Sequence, residues 1–214
     1  MSRRTVILAL AMILVAGGAY ALWPRHADLR GFEPAEIARL ETAMWRDYYE
    51  KRYVALLAHL YQMSRTQFGF APLDSFRIAL AAAKAARAFQ PTRSREAANA
   101  ALPPLEAYYR LLASAVPGGF DVAEAARLEL DWWQARREAV EPEQYGLTVA
   151  RVAAITYGTP ANDPSLLTAG IGRAEAMAYR DAIGEAMTDL DWSEIECRLR
   201  RAYSSLKAAV AGEP

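Results

Sequence analysis

Polar and apolar positions along the chain fall into two regimes. From Thr5 to Trp23 nineteen consecutive residues carry no charge, with Arg3 and Arg4 immediately before them. A hydrocarbon core about 30 Å thick needs roughly 20 apolar residues of helix, so this run predicts a single transmembrane helix. The basic residues ahead of it favour a cytoplasmic N-terminus and place the rest of the chain on the far side of a bacterial inner membrane, in the periplasm. The same run also fits a cleaved signal peptide, with Ala19-Tyr20-Ala21 as the small-x-small cleavage site, which would leave the remainder free in the periplasm. The expected division is an anchor or signal segment at 1–24, a juxtamembrane linker at 25–33 and a helical domain at 34–214.

Beyond the linker, apolar residues recur every three or four positions. Trp45, Tyr49, Tyr53, Leu56, Leu60 and Met63 predict one helix over 34–64, opened by Pro34. Further helices are expected over 74–89, over 94–115 with a break or kink at Pro103-Pro104, and from Asp121 to about Val140. Asp121 with Glu124 has capping-box spacing. After Pro142 and Gly146, helix resumes over 147–157; residues 158–172 read as the longest loop. Helices over 173–187 and 192–210 close the chain, the last after Asp191 with Glu194 at capping-box spacing. No segment alternates with period two, so the fold class is all-α: an N-terminal transmembrane or signal helix followed by a bundle of about six helices.

Composition sharpens this picture in three places. Alanine supplies 45 of 214 residues, which favours helix. Twenty-five basic against 25 acidic side chains give no net charge, so binding to nucleic acid through bulk electrostatics is not expected. The single Cys excludes an internal disulfide and Cys-rich zinc sites.

Two stretches carry the candidate chemistry. On the first long helix Glu41, Trp45, Tyr48, Arg52 and His59 share a stripe; on the 121–140 helix Glu129, Trp133 and Arg136 share another. In each a Glu precedes a Trp by one turn and an Arg follows. Charged residues flanked by aromatics on an inward stripe are costly unless paired, so Glu41, Tyr48, Arg52, Glu106, Tyr109, Glu129 and Arg136 are the candidate ligand-pocket residues. The same residues also fit a plain role as Glu–Arg pairs fixing helix register.

Trp132-Trp133 and Tyr48-Tyr49 are neighbours diverging by about 100° on a helix. One member of each pair is expected to face something else, which makes Trp45, Tyr49, Trp132 and Trp133 candidate interface residues. No Glu has a His three positions later, as carboxylate-bridged di-iron bundles require. Phosphate-loop, dinucleotide, zinc-protease, serine-hydrolase and haem-attachment motifs are also missing. No metal, cofactor or catalytic residue is assigned, and an enzyme is not the first expectation. That expectation is a membrane-anchored accessory subunit docking on a larger bacterial membrane protein complex through its transmembrane helix and aromatic surface. The alternative is an exported small-molecule binder or enzyme with a Glu/Arg/Tyr pocket inside the bundle.

Overall fold

The computed structural model describes residues 3–22 and 26–211. Among these there is no strand, and the all-α class stands. The helices are α1 (Arg3–Leu22), α2 (Pro34–Tyr49), α3 (Tyr53–Gln62), α4 (Pro72–Phe89), α5 (Arg95–Ala98), α6 (Leu102–Ala113), α7 (Val122–Arg137), α8 (Pro142–Tyr157), α9 (Pro164–Ile183) and α10 (Asp189–Val210). A π-helical turn (Met63–Gln67) continues α3, and single 3-10 turns follow α5 and α9.

Proline in the first turn opens α2, α4, α8 and α9, where its missing N–H costs nothing. Side-chain caps start others: Ser94 accepts from Ala97 N at 3.1 Å, Asp121 from Glu124 N at 2.9 Å, and Asp163 from Leu166 N at 2.9 Å.

Helices α2, α3, α4, α6, α7, α8, α9 and α10 each pack on the next in chain order, and α10 returns to pack on α2. The result is a closed ring of eight helices, with the short α5 bridging α4 and α6 and leaning on α7. The ring's lower end is covered by residues 26–33, expected above as a linker. Phe32 is fully buried between Tyr157 and Tyr203, with ring centroids 6.4 and 6.1 Å away, and Leu29 is 4% exposed. Asp28 N donates to Phe68 O at 2.9 Å, Arg30 to Tyr157 O at 2.7 Å, and Lys207 to Arg30 O at 2.6 Å.

Several boundaries differ from the periodicity, among them the end of the expected 173–187 helix, which stops at Ile183. The expected 34–64 helix is broken at Glu50–Arg52, where Lys51 adopts φ +59. The cause is Asp47, 2% exposed, which takes Arg52 Nε at 2.9 Å and His59 Nδ1 at 2.7 Å. A buried carboxylate must be paired, and the turn brings its partners back to it. Arg52 and His59 therefore leave the stripe they were expected to share with Glu41. Helix α8 begins at Pro142 rather than 147. The expected 158–172 loop is short: Gly158, at φ +64, ends α8, and α9 starts at Pro164 under the Asp163 cap. Finally, α10 starts at Asp189, with Thr188 and Asp191 forming a reciprocal capping box, so Asp191 sits inside the first turn rather than capping it.

The side chains of α1 are described without a break from Thr5 to Tyr20, about 24 Å of helical rise. Among the described residues, no helix is long and apolar enough to cross a membrane. The expected span's last residue, Trp23, lies outside the described residues. Val6, Ile7, Leu8, Leu10, Met12, Ile13, Leu14 and Val15 are all exposed.

Gly146 and Gly170 allow α8 and α9 to approach closely. A Cβ on Gly170 would collide with Gly146 O and lie 2.7 Å from Ala150 N; one on Gly172 would meet Ala202 Cβ at an ordinary 3.4 Å. Gly170→Ala is therefore expected to destabilise by about 1–3 kcal/mol through overpacking. Gly172→Ala is expected to be neutral or to stabilise by up to about 1 kcal/mol, through helix propensity. Urea unfolding of the two variants checks this; equal effects would show that the α8–α9 contact is not tight.

Candidate functional site

Inside the ring lies a cavity of about 450 Å³, within the ~300–1,000 Å³ of small-molecule sites. All eight ring helices contribute to its wall. Helix α2 supplies Ile37, Glu41, Met44, Trp45, Tyr48 and Tyr49; Ile37 to Tyr48 spans roughly 16 Å of rise, so the cavity is elongated. Helix α4 presents Ala82, Ala83 and Ala86, and Leu29 of the covering segment lines it too. The small α4 side chains leave the space that the rings of α2, α6 and α7 reach into.

Two polar clusters face this space. In the first, Glu41 is 3% exposed and accepts from Arg173 Nε at 2.9 Å and Nη2 at 2.5 Å. The Tyr203 hydroxyl donates to its other oxygen. In the second, Glu129 Oε2 accepts from Tyr109 OH at 2.9 Å and Trp132 Nε1 at 2.8 Å, and Oε1 accepts from Trp133 Nε1 at 3.0 Å. Arg136, farther along α7, donates to both oxygens of Asp181 at 2.8 Å and to Tyr49 OH at 2.5 Å. Arg173 is packed deep in the protein and lines the cavity, with its side chain 25% accessible.

Of the seven expected pocket residues, Glu41, Tyr48, Tyr109, Glu129 and Arg136 line this cavity. Two are elsewhere. Arg52 is 49% exposed and bound to Asp47 and Glu50, while Glu106 makes only a 3.9 Å surface pair with Arg110. The four interface candidates Trp45, Tyr49, Trp132 and Trp133 also line the cavity rather than forming an outward aromatic patch. Both members of the 132–133 pair turn inward because Glu129 accepts from both indole N–H groups, holding the rings edge to face at 6.1 Å. Sequence reasoning did not single out Arg173, Tyr203, Tyr108, Tyr157 or Asp47. Tyr203 follows the buried stripe of Ile195, Leu199 and Leu206, a signal that was available; Arg173 read as the first residue of the expected 173–187 helix, with nothing local to mark its distant partner.

Burial disfavours ionisation of the wall tyrosines and raises their pKa. Tyr108 and Tyr109 are pushed up by desolvation and then by the Glu129 charge, Tyr203 by desolvation and Glu41, and Tyr157 chiefly by desolvation. Burial alone would weaken the Arg173 guanidinium's hold on its proton, but the Glu41 charge and hydrogen bond, with Tyr203 and Glu129, together outweigh it and the net shift is upward. Among the described residues no three His, Cys, Asp or Glu side chains gather as metal ligands would.

The tyrosine shifts carry a pH prediction. A group whose folded pKa is raised contributes stability that is present in full below its unfolded pKa, about 10 for Tyr. That contribution is lost as the pH rises toward the folded value, at up to about 1.4 kcal/mol per pH unit for each tyrosine. With Tyr108, Tyr109, Tyr157 and Tyr203 acting together, stability should fall steeply above pH 10. Tyrosinate absorbance should then rise together with loss of helical circular dichroism; smooth ionisation of a still-helical protein would mean the rings are not sealed in. No protein-family model, no curated protein and no solved structure matches this chain.

Proposed function

We propose that this chain is a binding protein whose ring of helices encloses a small molecule with an extended apolar body. The observation that supports this best is the convergence of all eight ring helices on one elongated cavity. Its wall is aromatic and aliphatic, with a few fixed polar groups, the composition that ligand sites share. Glu41 and Glu129, the two carboxylates singled out in the sequence, face the same space rather than opposite surfaces.

A neutral apolar dye, N-phenyl-1-naphthylamine, tests this with the full chain. It should brighten on binding, and Ala83→Phe, which fills the space beside α4, should weaken that binding at least tenfold with helix content unchanged. Dye binding indifferent to Ala83→Phe would place the dye outside the cavity and sink the reading.

A second reading keeps a membrane-docked role, alone or on a larger membrane complex, and one observation favours it: the row of exposed apolar side chains on α1. Leaving such a surface in water is costly, and the uncharged run through Trp23 matches a membrane-spanning or signal segment. With the four interface aromatics lining the cavity, this role would rest on α1. Carbonate extraction of native membranes, followed by N-terminal sequencing, is the check. An intact chain kept in the pellet supports an anchor; a soluble species starting at Leu22 supports an exported, cleaved form.

A further inference from the structure

We propose that the cavity takes an organic ammonium ion carrying an extended apolar body, with Glu129 as its counter-charge. This deepens the small-molecule reading above and rests on it.

The inference starts from how the charges around the cavity are paired. Arg173 is committed to Glu41 through two hydrogen bonds. Arg136 is committed to Asp181 and Tyr49. Arg180, stacked on the far side of Tyr49 at 3.2 Å from the ring centroid, lies 3.6 Å from Asp181. Glu129 is different: its three partners, Tyr109, Trp132 and Trp133, are all neutral donors. Among the described residues no Lys, Arg or His lies within ion-pair distance of it. Arg173 is near enough for its charge to feel Glu129, but its hydrogen bonds go to Glu41.

A carboxylate has about four acceptor sites on its two oxygens. Two are filled on Oε2 and one on Oε1, which leaves Oε1 able to accept once more. The donors fix the carboxylate in place while leaving it without an ion-pair partner, the nearby Arg173 being bonded to Glu41. Glu129 is half-buried; a charge partly withdrawn from water with no ion-pair partner is costly, and a ligand cation supplies one.

The surrounding rings suit the same ligand. Trp132 and Trp133 stand edge to face, as do Tyr108 and Tyr109 at 5.1 Å and Phe89 against Trp133 at 5.1 Å. Arg173 already lies over the Trp132 ring at 5.4 Å and Arg137 over the Phe89 ring at 3.5 Å; the perpendicular partner rings present faces in other directions, and an ammonium ion is attracted to an aromatic face. The alanine face of α4 and the leucines beyond it accept the apolar remainder. An anionic ligand finds the reverse: each cation on the wall already holds a carboxylate, and Glu129 repels it.

Three probes with one apolar body separate charge from bulk: 4-phenylbutylamine, a cation at pH 7, neutral 4-phenylbutanol and anionic 4-phenylbutyrate. Each is titrated into the full chain while tryptophan fluorescence is read, since Trp45, Trp132 and Trp133 all line the cavity. The amine should bind at least tenfold tighter than the alcohol and the acid. Glu129→Gln should abolish the preference for the amine, so that amine and alcohol bind the variant with equal affinity. The ordering of the three probes on the unaltered chain stands without the variant, should the variant fold poorly. Equal affinities, or tightest binding of the acid, would overturn the ammonium proposal while leaving the cavity as a binding site. Saturable quenching by none of the three, with dye binding indifferent to Ala83→Phe, would overturn both.

Discussion

The grip on Glu41 is the interaction on which the rest of the architecture depends. A ring built in chain order has one seam that no loop closes, where its last helix meets its first. Glu41 sits at that seam on α2, almost wholly buried, held by Arg173 of α9 and Tyr203 of α10. Such a pair adds little net stability over apolar residues of the same volume. Removing one partner is different, because it strands a buried charge at a cost of about 3–5 kcal/mol. Its worth is geometric: only one register of α10 and α9 against α2 satisfies both carboxylate oxygens. Phe32 reinforces the same corner by packing against Tyr203 and Tyr157.

The cavity follows from closing the ring. Eight helices packed side by side enclose more space than one layer of inward side chains fills unless every face is bulky, and here α4 is lined with alanine while Gly146 and Gly170 draw α8 and α9 together. Atoms lining an unfilled apolar space forfeit their dispersion partners, so the cavity runs against stability. The wall compensates by pairing its polar groups with one another. Glu129 restrains three aromatic side chains at once, so the rings that bound the cavity are fixed rather than free to collapse into it. A wall held open in this way is preorganised, and a ligand entering it gives up little binding energy to reorganisation.

Much of this was legible in the sequence, and the parts that were not share a cause. Helical class, the Asp121 cap and the inward stripes bearing Glu41 and Glu129 follow from periodicity and local chemistry, because they are properties of a single helix. Arg173 as the partner of Glu41 is not such a property, since 132 residues separate them. The break after Tyr49 was hidden for the same reason: the apolar spacing runs smoothly through it, and only the burial of Asp47 shows why the chain must turn. The glycines at 170 and 172 read as loop residues because their low helix propensity was given more weight than close packing, which the neighbouring helix decides. The paired Trp and Tyr residues misled through a sound rule applied too narrowly. Neighbours on a helix do diverge by about 100°, but a wide cavity, with a carboxylate drawing both indole N–H groups, receives both.

The segment before α2 joins the two ends of the functional question. Leu29 lines the cavity and Phe32 is buried beside Glu41's partner Tyr203, while Arg30 and Lys207 fasten the backbone between them to α8 and α10. The strip of chain that follows the N-terminal apolar helix in sequence supplies, at Leu29, part of the cavity's own wall. A displacement of that strip would therefore move Leu29 and Phe32, and with them the corner where the ring closes.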